Sequence, residues 1–176
     1  MEPIQIVQIK PSEAEALQLL SRQTFTETFA IYNSKEDMNN YLNNNLSLDT
    51  LTNELSNPNS KFYFAIEGDK KIGYLKLNLG DAQSDLKDPA SLEIERIYVL
   101  NIYFGKKVGQ VLYQKALAMA KDLALKYIWL GVWEKNERAI QFYKKNGFVE
   151  FDQHIFILGN DEQTDLLMRL ELETII

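Results

Sequence analysis

The sequence predicts one layered α/β domain, and three observations predict it. Strand-like and helix-like segments are spread along the whole chain, no linker or internal repeat interrupts them, and the composition suits a single core. Hydrophobic residues make up 45% of the 176 and charged residues 25%, a globular balance, so one domain over 1–176 is the default.

Ile4 to Ile9 has the short apolar alternation of a strand and stops at Pro11. Ser12 with Glu15 matches a capping box, and Ala14, Leu17, Leu20, Thr24 and Phe25 follow at helical spacing. Ser34 and Asp37 open a second helix with Met38, Tyr41 and Leu42 on one face; Ser47 opens a third with Leu48, Leu51 and Leu55. Phe62 to Ile66 and Lys71 to Leu79 read as strands of a hairpin around Glu67-Gly68-Asp69-Lys70. Leu92 to Val99 is a further strand, and Val108, Val111, Leu112, Ala116, Met119, Ala120 and Leu123 form a helical stripe. Tyr127 to Trp133 is strand-like and Ala139 to Lys145 helical. Phe148 to Leu158 and Asp165 to Leu172 read as strands around a Gly159-Asn160-Asp161 turn.

Composition removes several classes of function. There is no cysteine and a single histidine, His154, so thiolate or multi-histidine metal sites and a cysteine nucleophile are excluded, and no metal is expected. His154, one imidazole on a strand, reads as structural. Nineteen Lys and Arg against 25 Asp and Glu give a formal charge of −6, which argues against nucleic acid or anionic membrane as partners and permits a cationic one. The N-terminus lacks the basic start and apolar run of a signal peptide, and no apolar stretch approaches membrane-spanning length; a cytoplasmic protein is the expectation. Edge strands near the C-terminus could support a homodimer.

Two segments carry chemistry. Glu95 to Gln110 is a strand, a glycine-containing loop and a helix start, an arrangement that turns unpaired N–H groups and the positive end of a helix dipole toward an anion. Lys106 and Lys107 add charge there, although Gly105 and Gly109 alone would equally suit a turn. Trp129 to Phe148 is strand, loop, short helix and glycine stop, with Asn136 placed as N-cap and Gly147-Phe148 as a left-handed helix end.

Together these segments resemble the acetyl-CoA-binding and catalytic motifs of the GNAT superfamily of N-acetyltransferases. Asn136, Ala139, Phe142, Tyr143, Gly147 and Phe148 match an N-x-x-A-x-x-F-Y-x-x-x-G-F helix. Gly105 and Gly109 match the Q/R-x-x-G-x-G/A pyrophosphate loop, from which Phe104 and Lys107 depart. Thr24 to Phe29, Asn33 to Met38, Gly73 to Leu77, Leu92 to Val99 and His154 to Gly159 look similar to PaiA-like bacterial acetyltransferases, which act on spermidine and spermine.

The resemblance implies a mixed, mostly antiparallel sheet of about seven strands flanked by helices, acetyl-CoA as co-substrate and a small-molecule amine as acceptor. It implies cofactor binding by Ile97, Tyr98 and Val99 on a splayed strand, by the loop residues Gly105, Lys106, Lys107, Val108, Gly109 and Gln110, and by Asn136. Tyr143 is implied as the acid that protonates the departing sulfur and Glu95 as the base, with Glu93 two residues away on the same strand face as the rival base. Phe29, Tyr32, Glu36 and Tyr41 mix aromatic and acidic groups as an amine pocket would, though each also suits an amphipathic face packed on the sheet. Acetylation of another amine (a peptide N-terminus, an amino sugar or an antibiotic), a non-catalytic acyl-CoA-binding regulatory module and a purely structural domain are the rival readings.

Overall fold

The computed structural model describes residues 2–173. In chain order these form β1 (Ile4–Gln8), α1 (Ala14–Phe29), α2 (Lys35–Asn44), α3 (Leu48–Ser56), β2 (Ser60–Glu67), β3 (Lys70–Leu79) and β4 (Ser91–Val99). Then follow α4 (Val108–Asp122), β5 (Tyr127–Trp133), α5 (Glu137–Lys145), β6 (Val149–Leu158) and β7 (Asp161–Glu171). The strands make one sheet in the order β1-β2-β3-β4-β5-β7-β6, antiparallel throughout except between β4 and β5.

Period-two alternation builds a core on each face of the sheet. In β2, Tyr63 and Ala65 point to the side covered by α4 and α5, where Leu112, Ala116, Ile140 and Phe148 are buried with them. Phe62 and Phe64 point to the other side, where Leu17, Phe25, Met38 and Leu51 of α1–α3 cover them. The helix starts at Ser34 and Ser47 are as the sequence predicts: Ser34 Oγ accepts from Asp37 N at 3.0 Å and Ser47 Oγ from Thr50 N at 3.1 Å. The free edges of the sheet are β1 and β6, and β6 leaves Val149, Ile155 and Ile157 exposed.

Two local expectations are corrected. Ser12 does not cap α1, because Pro11 starts a 3-10 turn over Pro11–Glu13; the capping contact there is Glu13 Oε2 accepting from Lys10 N at 3.0 Å. β7 begins at Asp161 and not at Asp165. The polar run Asp161 to Thr164 is drawn into the ladder by pairing with Ile155 to Leu158, across a turn in which Gly159 takes φ +63°.

Lys107 is also conformationally unusual. It precedes α4 in the left-handed region at φ 64°, ψ 11°, a conformation that costs a residue with a Cβ on the order of 1–2 kcal/mol. Lys107→Gly is therefore expected to stabilise the fold by about 1 kcal/mol once glycine's own entropy cost is subtracted, read as a raised midpoint in urea unfolding.

The feature that positions the site is the parting of β4 from β5. Their parallel pairing lasts for three residue pairs, Ser91 with Tyr127, Leu92 with Ile128 and Glu93 with Trp129, and then stops. On its other side β4 stays paired with β3, but with a bulge: Leu77 faces Ile94 and Lys76 faces Arg96, so Glu95 has no residue opposite. A bulge bends the strand and offsets its alternation, which lets Glu93, Glu95 and Arg96 all border one cavity.

Candidate active site

A cavity of about 390 Å³ lies where β4 and β5 separate. Four carboxylates border it, Glu93 and Glu95 from β4, Asp85 from the β3–β4 loop and Asp165 from β7, together with the Arg96 guanidinium and the His154 imidazole. Glu93, Glu95, Arg96 and Asp165 are buried or half-buried, where a low-dielectric wall raises their electrostatic weight, whereas Asp85 is exposed.

The two glutamates are held differently. Glu95 Oε2 accepts from Lys76 Nζ and Asn78 Nδ2, and its Oε1 lies 3.5 Å from Arg96 Nη2. Burial alone would push its carboxyl up, but Arg96 and Lys76 override that and hold it below the ordinary carboxylate value. Lys76 and Arg96 also share Glu54 of α3, at 3.2 Å and through a bidentate pair at 2.8 and 3.1 Å. Glu93 accepts from Ser84 N at 2.8 Å, from the Ser84 hydroxyl and from Asn78 Nδ2 at 3.0 Å. Burial, with some repulsion from Glu95, nevertheless pushes its carboxyl above the ordinary value.

A group that sequence reasoning left out of the site also borders the cavity. His154, read as structural, borders the cavity with Nδ1 3.0 Å from Asp85 Oδ2 and Nε2 3.8 Å from Asp165 Oδ2. A single histidine on a strand carries no signal of what its strand faces, and Asp85 lies 69 residues away in a polar loop. Asp165 has no donor nearer than that imidazole among the described residues, and desolvation pushes its carboxyl up although His154 pulls it down. A carboxyl raised in the folded state penalises folding above its folded pKa, and the penalty vanishes below the unfolded value near 3.8. Asp165→Asn should therefore raise Tm at pH 7 and have little effect at pH 3, a comparison made by calorimetry at the two values.

Of the residues expected to hold an amine, Phe29 and Tyr41 border the cavity, with Phe25 between them at ring-centroid distances of 4.5 and 4.2 Å. Tyr32 does not border it; the ring is exposed and packs edge-on against Trp133 at 5.0 Å. Glu36 sits exposed on α2 and is not brought to the cavity. Trp133 and Phe156 complete the aromatic wall.

Ile97, Tyr98, Asn136 and Tyr143 border the same cavity. Ile97, Tyr98 and Val99 pair with Leu75, Tyr74 and Gly73 of β3, so their other backbone edge faces the gap that β5 leaves. Asn136 caps α5, its side chain accepting from Ala139 N at 3.2 Å. Gly147 ends that helix at φ +93° and Phe148 N closes it on Tyr143 O at 3.1 Å. Tyr143 is 6% exposed, and burial pushes its phenol well above its usual value.

The loop residues stand at the start of α4, away from the cavity. The first helical hydrogen bond runs from Val111 N to Lys107 O at 3.1 Å, leaving the N–H groups of Val108, Gly109 and Gln110 without an intrahelical acceptor. Only backbone can act at Val108, whose side chain is in the core, and the Gln110 amide is engaged with Asn146 at 2.9 and 3.2 Å. Gly105 is at φ +77°, which favours glycine; Gly109 is not, and a Cβ there would meet nothing nearer than the Phe142 ring at 4.0 Å. A Cβ at Gly109 would therefore meet only ordinary contact within the fold, beside N–H groups without an intrahelical acceptor, the kind of helix start that suits an anion. Phe104, at the position where the loop pattern has Gln or Arg, carries the Arg138 guanidinium over its ring at 3.2 Å, so α5 supplies a cation beside Lys106 and Lys107.

Comparison with known proteins gives the family. The sequence profile of the Acetyltransferase (GNAT) family matches residues 17–148. An uncharacterized N-acetyltransferase of Lactobacillus delbrueckii subsp. lactis is 39% identical over 172 residues, 98% of this chain and 99% of that protein. A spermidine N(1)-acetyltransferase of Thermoplasma acidophilum is 26% identical over 149 residues, 82% of this chain and 88% of that protein. Among solved structures, the PaiA N-acetyltransferase of Thermoplasma acidophilum in complex with coenzyme A superposes with a TM-score of 0.79 at 25% identity, covering 97% of this chain and 99% of that one.

Proposed function

The chain belongs to the GNAT acetyltransferase family, and from that premise we propose that it acetylates a primary amine, a polyamine such as spermidine or spermine, by direct attack within a ternary complex with acetyl-CoA. The observation that carries the acceptor class is the cavity: four carboxylates against the one guanidinium of Arg96, walled by Phe25, Phe29, Tyr41 and Trp133, at the place where β4 and β5 part. Excess negative charge lowers the free energy of an entering ammonium, and aromatic faces add cation–π attraction to its methylene chain and charge. The name and the coenzyme A complex of the Thermoplasma relatives support the same pair of substrates.

In this reading the N–H groups of Val108, Gly109 and Gln110, with Lys106, Lys107 and Arg138, hold the diphosphate, and Gly105 shapes the loop that presents them. The free edge of Ile97, Tyr98 and Val99 and the Asn136 amide hold the pantetheine arm. The cofactor supplies an acetyl thioester; Tyr143, kept protonated by burial, donates a proton to the departing sulfur. Glu93 and Glu95 draw the ammonium in. Both have their oxygens engaged by donors, which suits them to placing charge more than to receiving a proton.

A second reading, an acyl-CoA-binding regulatory module, is favoured by one observation, the strained Lys107 in place of the motif glycine. The deciding experiment is release of CoA thiol from acetyl-CoA by the purified protein with spermidine, spermine, a peptide N-terminus and an amino sugar. Polyamine-dependent release supports the proposal. Release with another amine alone transfers the activity to that acceptor, and tight CoA binding without release with any amine selects the regulatory module.

A further inference from the structure

We propose that His154, oriented by Asp85, is the proton acceptor for the incoming amine and that Asp165 seats the ammonium beside it; this rests on the amine-acetylation reading above. An aliphatic ammonium must lose a proton before its nitrogen can attack. Glu95 Oε2 is held by Lys76 and Asn78 and its Oε1 faces Arg96 at 3.5 Å, and Glu93 is held by Ser84 and Asn78, so both carboxylates are engaged by donors. His154 has one ring nitrogen, Nε2, outside any hydrogen bond to a side chain among the described residues. Its Nδ1 is tied to Asp85 Oδ2 at 3.0 Å, which selects the tautomer with the proton on Nδ1 and the lone pair on Nε2.

Nε2 stands 3.8 Å from Asp165 Oδ2, too far for a hydrogen bond between them. An amine nitrogen about 2.8 Å from each would close that triangle, donating one N–H to the carboxylate and one to the imidazole. The place is right for the chemistry. Asp165 pairs across the sheet with Trp133, and its Oδ2 lies 3.5 Å from where a Cβ on Gly131 would be, on the stretch of β5 just past its last pair with β4. His154 of β6 and Tyr143 of α5 border the same cavity.

The transfer balances. The ammonium gives one proton to His154 Nε2, and the free amine nitrogen forms a bond to the acetyl carbon. The carbon–sulfur bond breaks, and the second proton lost by nitrogen ends on sulfur through the Tyr143 hydroxyl. His154 then returns its proton to water. The charged groups nearest the imidazole are Asp85 from the loop and Asp165 from β7, and Glu93, Glu95 and Arg96 line the same cavity. Asp152 shares its strand, and Asp37 of α2 accepts from Asn160 N in the turn between β6 and β7.

The test is the pH dependence of kcat/KM with the best amine of the panel for the wild type, His154→Gln, Asp85→Asn and Glu95→Gln, with CoA affinity measured for each. His154→Gln should lose about 100-fold in kcat/KM and the acid limb of the profile, with CoA affinity unchanged. Asp85→Asn should lose about tenfold in kcat/KM with CoA affinity unchanged, because the imidazole loses the carboxylate that orients it. A His154→Gln protein that keeps the wild-type rate within twofold and its acid limb, or a Glu95→Gln protein that alone loses the limb, overturns the assignment. A wild type that turns over no amine overturns both this and the parent reading, so the two failures are told apart.

Discussion

Tyr143→Phe should lower kcat with the best acceptor by two to three orders of magnitude, about the contribution of one positioned general acid. CoA affinity and Tm should stay close to those of the wild type. The substitution removes one oxygen. The ring stays packed against Phe142 and Phe148 at centroid distances of 5.4 and 5.6 Å, so the core loses nothing. Burial raises the phenol above its usual value, and among the described residues no side chain is hydrogen-bonded to it, so the hydroxyl is available to a ligand and remains protonated through the assay range. Steady-state kinetics with calorimetric CoA binding reads both quantities. A kcat within threefold of the wild type would assign protonation of the sulfur to another group.

The second large effect is on stability. Arg96→Met should destabilise the fold by about 3–5 kcal/mol, the usual cost of breaking a buried ion pair by removing one partner. At this chain length that corresponds to a fall in Tm of roughly 10 °C. Arg96 and Lys76 together neutralise Glu54 and Glu95, and without Arg96 two carboxylates share one ammonium. The double variant with Glu54→Gln should recover part of the loss, since the surplus charge goes with it.

The pH response should change sign. In the wild type Glu95 ionises below its ordinary value of 4.5, so its share of stability is present above that value and is lost as pH falls through the lower folded one. In Arg96→Met the under-paired carboxylates cost stability at neutral pH, and acidification should relieve that cost. Urea unfolding of both proteins at pH 4 and pH 7 measures the difference. A stability loss under 1 kcal/mol would mean that the four-residue network contributes little.

Much of the fold could be read from residues near one another in sequence. The Phe62–Ile66 and Lys71–Leu79 strands, the Val108–Leu123 stripe and the Ser34 and Ser47 helix starts declare themselves through period and capping chemistry, which depend on neighbours within a few positions. The Asn136–Phe148 helix is the same kind of signal: its N-cap and its left-handed glycine end are local backbone requirements.

What failed was non-local. The polar start of β7 became strand because β6 pairs with it, and Ser12 lost its cap because Pro11 tightened the turn before it. Alternation placed Glu93 and Glu95 on one face, but it could not show that a bulge at Glu95 would bring Arg96 to the same wall. Glu36 belongs to a helix whose exposed face and cavity-facing side cannot be told apart by composition.

The sequence by itself therefore determined the elements, the layered class and the two motifs on β4–α4 and β5–α5, because each depends on spacing along one segment. Only the tertiary structure decided which charges are spent on one another and which stay free. Lys76 and Glu54 reach Glu95 and Arg96 from other elements, and Asp85, His154 and Asp165 come from three segments up to 80 residues apart. Whether a carboxylate or an imidazole can take a proton depends on its burial and on the partners within about 4 Å, and those are set by packing across the sheet.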